Sequence, residues 1–352
     1  MRIRLTRQTW LALVSAVVFV TFALVIAVAP TPYVVYSPGR AYDLWVPDED
    51  GTPRISIDGI PTFPVTGQLY MTTVAMTRAD ARVSLPEAVL AYWLPDREAM
   101  PRKAVYDPGK TSDQLRAEVR MMMDTSQQDA VVAALRAADV PVEQLPVVAA
   151  VTVSGPADGR LLPGDLILAV ADHPVSALDE VGDQIRRAEV GEPIEFTIQR
   201  NGDELKIDVP TVASVSDPAI AAVGIEVNTG YRFAPKVNFG ISHEVGGPSA
   251  GLVFALAIYD QISAGDLLAG RAVAGTGEID ANGDVRRIGG LREKVAGAER
   301  AQAAIFLVPA DNCVEIVGLQ NKIQIIPVAT LRDAVQALES QTDSDPAPLP
   351  TC

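Results

Sequence analysis

The chain has 352 residues, 48% of them apolar and 21% charged, which is enough for two or three domains with cores of their own and excludes a disordered chain. A formal charge of −15 argues against nucleic acid or an anionic lipid surface as partner, because phosphate binding needs a basic face. With only two cysteines, Cys313 and Cys352, and two histidines, no disulfide framework or Cys- or His-rich metal site can be built.

Trp10 to Ala29 are twenty uncharged residues, mostly Leu, Val, Ala and Phe, long enough as a helix to cross a hydrocarbon core. Arg2, Arg4 and Arg7 precede the run, and Asp43, Asp48, Glu49 and Asp50 follow it. Positive-inside bias therefore predicts residues 1–9 in the cytoplasm, a single span at 10–29 and the remainder outside. Ala27-Val28-Ala29 also fits a signal-peptide cleavage pattern, against which Pro30 argues. Outside the cytoplasm, Cys313 and Cys352 could form one disulfide.

Residues 31–140 read as a small α/β module. Tyr33 to Tyr36, Ile55 to Ile57 and Leu69 to Val74 have strand character, and Glu87 to Leu94 and Ser112 to Ala138 helical character. Met121, Met122 and Met123 read as core filler on the second helix. Asp107-Pro108-Gly109-Lys110-Thr111 ends like a phosphate-binding loop, yet Ala104 stands where that loop needs glycine. No nucleotide, and no other cofactor, is expected.

Residues 141–212 alternate strands at Val147 to Val153, Asp165 to Val170 and Ile194 to Gln199 with a helix at Leu178 to Ala188. The turns between them, Ser154-Gly155-Pro156-Ala157-Asp158-Gly159, Leu162-Pro163-Gly164-Asp165 and Asp172-His173-Pro174, resemble those of a bacterial PDZ domain, a small β-sandwich with helices. That resemblance implies peptide binding by β-addition, with Val147, Val148, Ala149, Ala150 and Val151 as the wall. His173 reads as an exposed turn residue.

Within residues 218–340 lie Gly247-Pro248-Ser249-Ala250-Gly251, Thr276-Gly277-Glu278-Ile279 and Gly289-Gly290-Leu291-Arg292-Glu293-Lys294. Ser249 opens a nearly uncharged run to Ile262, which predicts a buried helix with the serine at its positive end. Backbone groups of Gly247, Pro248 and Ala250 are the candidates there for holding an oxyanion. On a helix from Leu291 to Ala303, Lys294 shares the apolar face of Leu291, Val295, Ala298 and Ala301, with Arg292, Glu293, Glu299 and Arg300 pointing elsewhere. A lysine desolvated in that way can lose its charge and act as a base toward a serine hydroxyl.

Together the three motifs resemble the Lon-type (S16) serine protease domain, an α/β fold. The resemblance implies Ser249 as nucleophile, Lys294 as general base, Thr276 as the hydroxyl that positions the amine, and a homo-hexamer. Gly246 departs from the aspartate usual three residues before the serine, and the ATPase module is missing. With the apolar helix and the PDZ-like region, the arrangement resembles YlbL-like membrane-anchored bacterial proteases. It implies an α+β multidomain, ATP-independent endopeptidase acting outside the cytoplasm on unfolded protein or peptide termini. Two other readings stay open: a Ser-His-Asp triad of Ser249 with His243 and Asp260 or Asp280, and a membrane-tethered PDZ scaffold whose protease domain is inactive. The tail, 341–352, reads as disordered.

Overall fold

The computed structural model describes residues 6–242, 245–319, 322–341 and 349–352. It divides into two compact units, one formed by residues 1–139 and 236–352 and the other by 140–235. The chain enters through α1 (Arg7–Val28), capped where the Thr6 hydroxyl accepts the Thr9 amide; none of its residues is buried. There follow β1 (Pro30–Thr31), β2 (Tyr33–Asp43), β3 (Gln68–Met76), β4 (Val83–Ser84), α2 (Leu85–Trp93), β5 (Glu98–Pro101) and the long helix α3 (Ser112–Ala137). A capping box starts α3, Thr111 and Gln114 each accepting the other's amide.

The second unit holds β6 (Glu143–Val151), β7 (Leu166–Val170), α4 (Leu178–Arg187), β8 (Pro193–Arg200), β9 (Asp203–Pro210) and β10 (Ile225–Arg232). Its sheet runs in the order β9-β8-β7-β6-β10, with antiparallel neighbours. Phe196, Ile198, Ile167 and Val148 form the core with Val181 and Ile185, which lie one turn apart on α4. The aspartate of the Leu162-Pro163-Gly164-Asp165 turn is buried. Asp165 accepts two 2.7 Å bonds from the Arg200 guanidinium and one from the Leu162 amide, which compensates its desolvation.

The first unit then resumes with α5 (Gly251–Ile262), β11 (Ala272–Gly275), β12 (Glu278–Ile279), β13 (Val285–Arg286), α6 (Leu291–Arg300), β14 (Ile305–Pro309), β15 (Gln324–Val328) and α7 (Leu331–Ser340). Its main sheet runs β15-β14-β11-β3-β2-β5, parallel from β15 to β3 and antiparallel beyond. All five residues of β14 are buried, as expected of a parallel strand covered on both faces. Ten of the twelve α5 residues are buried, and α3 lies along it.

This division differs from the one read in sequence, where 31–140 stood apart from 218–340. Strand β3 pairs in parallel with β11, from Gln68 opposite Ala272 to Met71 opposite Gly275, and residues 55–58 pair with 236–239. Residues 31–139 thus supply strands to the same sheet as β11, the strand that leads into Thr276. Likewise β10, assigned in sequence to the following domain, pairs with β6 along its length. Of the three clustered methionines only Met123 is core; Met121 and Met122 are exposed because α3 buries one face only there.

Candidate active site

Ser249 sits in the turn that leads into α5. Gly247 takes φ +89°, a left-handed conformation that favours glycine, and its amide donates to the Val119 carbonyl of α3 at 3.2 Å. About two turns further along α3 the buried Ser126 hydroxyl donates to the Pro248 carbonyl at 2.8 Å. A Cβ on Gly251 would stand 2.7 Å from Ser126 Oγ and 2.8 Å from Ile279, so this position has no room for a side chain. From the other side, the Ser249 carbonyl accepts the Gly277 amide and the Thr276 hydroxyl, each at 2.9 Å. The serine is held by its backbone, leaving its Oγ free to react.

Helix α6 starts after Gly290 at φ +70°, where a Cβ would meet Val74 of β3 at 2.7 Å. One turn later Lys294, 3% exposed, brings its Nζ to 2.6 Å from Ser249 Oγ and 2.9 Å from Thr276 Oγ1. Because the Thr276 hydroxyl spends its proton on the Ser249 carbonyl, its oxygen is left to accept from the lysine nitrogen. Burial brings the Lys294 pKa down to about 7, against the opposing pull of the neighbouring Glu293 carboxylate. Near neutrality the amine can therefore be uncharged, with its lone pair turned to the serine.

Several expectations from sequence change here. Gly247 cannot serve as an oxyanion donor while its amide is bonded to Val119, and Pro248 has no N–H at all. Ala250 stays at the start of α5, with the Phe254 amide bonded to its carbonyl. Glu293 does not point to solvent: it is 1% exposed, its Oε1 has no hydrogen-bond partner, and burial raises its pKa. Lys294 is thus not the only ionisable group buried on α6, since the first turn is enclosed on more than one side.

Asp260 accepts the Leu267 amide near the far end of α5, and Asp280 accepts from Arg286 and its own turn, so each has a structural partner where it stands. His243 lies outside the described residues. Of the expected wall, Val147, Val148, Ala150 and Val151 pair with β10, and Val147 pairs with β7 on the other side of β6. Sequence reasoning missed Val119 and Ser126: neither lies in a motif, and both act from a helix more than 120 residues before the serine. The absent aspartate at Gly246 also has a cause, since a Cβ there would fall 2.2 Å from Val119 Cγ1. Among the described residues no group of three His, Cys, Asp or Glu side chains converges as a metal site would require.

Comparison with known proteins agrees with the motifs. Residues 242–339 match the family model of the Lon protease (S16) C-terminal proteolytic domain, and residues 122–211 match the PDZ domain. Lon protease from Rhizobium meliloti (strain 1021) is 32% identical over 117 residues, which is 30% of this chain and 14% of the relative. Lon protease from Chloroflexus aggregans is 30% identical over 144 residues, 38% of this chain and 17% of the relative, so the chain spans less than a fifth of either protein's length. Among solved structures, the PDZ domain of an SdrC-like protein from Listeria monocytogenes aligns at 20% identity over 23% of this chain and 85% of that one, with a TM-score of 0.22. The chain is a multidomain α+β protein that carries a Lon-type (S16) proteolytic domain and a PDZ domain.

Proposed function

We propose that the protein is an ATP-independent serine endopeptidase in which Ser249 is the nucleophile, Lys294 the general base and Thr276 the group that orients the amine. The observation that carries this reading is the 2.6 Å approach of a buried, easily neutralised Lys294 Nζ to Ser249 Oγ. Neutral Lys294 takes the Oγ proton as the oxygen attacks the scissile carbonyl. The amides of Ser249 and Ala250, at the positive end of α5, receive the oxyanion. The lysine ammonium then gives its proton to the departing amine, leaving an acyl-serine. A water, deprotonated by the same lysine, attacks that ester and restores Ser249.

Hydrolysis of an unfolded polypeptide tests the reading: Ser249→Ala and Lys294→Ala should each abolish it while folding normally, and His243→Ala should retain it. Loss confined to His243→Ala would replace the dyad with a triad. Retained peptide binding with no hydrolysis by the unaltered protein on any unfolded substrate would favour the scaffold.

We further propose that α1 spans a membrane and holds both units outside the cytoplasm. Its length, its apolar composition and the Cys313–Cys352 disulfide support this, since such bonds persist in oxidising compartments. An ATP-independent protease of this kind would take loose segments and chain ends. The PDZ domain would deliver them on β10, which ends its sheet and lies beside α4. Amide exchange checks this placement: a bound peptide should protect Ile225 to Arg232 on β10, and protection confined to β9 would move the site to the opposite edge.

A further inference from the structure

Helix α2 is built the wrong way round for a helix facing water. Its buried residues are the small Ala88 and Ala91, set against Val35, Val83 and Ala99. Its exposed residues include Leu85, Val89, Tyr92 and Trp93, which recur at i, i+4, i+7 and i+8 and so form one stripe, with Leu90 on its flank. Tyr92 is 80% exposed and Trp93 77%. Glu87 is the only charged residue in the helix. An apolar stripe this continuous on a soluble surface calls for something to cover it.

Its position says what covers it. The strand β1 leaves α1 directly and pairs with β4, Pro30 opposite Ser84 and Thr31 opposite Val83, and β4 runs straight into α2. The Leu85 amide donates to the Ala29 carbonyl at 3.2 Å, so α2 begins where α1 ends. At 1.5 Å per residue its nine residues reach no more than about 14 Å from that point. If α1 crosses a bilayer, the stripe stands at the level where hydrocarbon gives way to headgroups, the depth at which Trp and Tyr are enriched.

We propose that α2 lies in the outer interface of the membrane that α1 spans, with Leu85, Val89, Tyr92 and Trp93 turned to the lipid. This rests on the reading of α1 as a membrane span. The partner is the uncharged interfacial layer of a bilayer, which an apolar and aromatic stripe fits and a net charge of −15 does not oppose as it would an anionic surface. A second point of attachment would fix the orientation of the first unit, and with it the height of Ser249 above the membrane.

The three tryptophans, Trp10, Trp45 and Trp93, permit a direct test with the full chain in phosphatidylcholine vesicles whose acyl chains are brominated near the headgroup. One variant keeps only Trp93 (Trp10→Phe with Trp45→Phe); another keeps only Trp10 (Trp45→Phe with Trp93→Phe). Peptide hydrolysis by both serves as the check on folding. Brominated lipid should quench both, with the Trp93 emission falling by about half or more relative to unbrominated vesicles. Quenching of Trp10 without quenching of Trp93 would overturn the docking of α2 and leave α1 in the membrane. Absence of quenching at Trp10 would overturn the span and the docking with it. A Trp93 shielded from aqueous acrylamide but untouched by brominated lipid would mean that another copy of the chain covers the stripe, again contradicting the proposal.

Discussion

Lys294 Nζ stands 2.6 Å from Ser249 Oγ across a separation of 45 residues, and the two are brought together by elements with different jobs. Ser249 is fixed through its own carbonyl by Thr276 and Gly277, at the end of β11. Lys294 is delivered by α6, whose first turn is pressed against β3 at Gly290. The strand that receives α6 therefore comes from residues 68–76, far before the motifs.

Thr276 bridges the serine carbonyl and the lysine amine, so its hydroxyl should be worth more than its volume. Thr276→Ala is expected to lower kcat by about ten- to a hundredfold with little change in KM, and Thr276→Ser to recover most of it. Steady-state kinetics on a short peptide distinguishes this from a packing role, in which Thr276→Val would be the better replacement.

The pH dependence follows from the depressed Lys294 value. Activity should rise as pH increases through about 7, because the base works only without its proton. Stability has the same sign: the folded value lies below the unfolded one, so the penalty for burying the ammonium is complete below about 7 and disappears as pH rises toward about 10.4. Lys294→Met should therefore stabilise the protein, by more at about pH 6 than at about pH 10. Urea unfolding at the two pH values measures it.

Gly246→Asp would restore the carboxylate that Lon-type sequences commonly carry at this position, yet here it would collide with Val119. It should destabilise the protein by about 1–3 kcal/mol through overpacking. Val119→Ala should relieve part of that cost, giving a non-additive double-mutant cycle in denaturant.

The disulfide closes a 39-residue separation between Cys313, at the start of a short helical turn, and Cys352 in the tail. On the chain-entropy account, Cys352→Ser should cost up to about 4 kcal/mol of stability, measured against the oxidised protein. The Cys313 neighbour Asn312 is buried and bonded to both main-chain groups of Ile288, just before the Gly289-Gly290 turn. Reduction should therefore also raise amide exchange in residues 287–290.

Local pattern was informative where a segment answers to its own surroundings. The apolar run after Ser249 became α5, the amphipathic face holding Lys294 became the buried face of α6, and the PDZ turns fell between the expected strands. It failed where a partner is distant. Nothing in Gln68 to Met76 announces that β11, some 200 residues later, lies beside it, and nothing in Ile225 to Arg232 distinguishes the last strand of one unit from the first of the next. The same distance hid Ser126 and Val119, and it hid the pairing of β6 with β10. Most of the tail, like His243, lies outside the described residues, while Cys352 is bonded to Cys313.

The role proposed for Lys294, making Ser249 nucleophilic, is read most directly from the reactivity of that serine. Reaction with a phosphonate that forms a stable serine ester, followed by peptide mass mapping, measures that reactivity without a substrate's help. The adduct should form on Ser249, faster as pH rises through about 7, and Lys294→Ala should slow it by about a thousandfold or more while the protein stays folded. An adduct forming on Ser249 of Lys294→Ala at the unaltered rate, or on another residue in the unaltered protein, would contradict it.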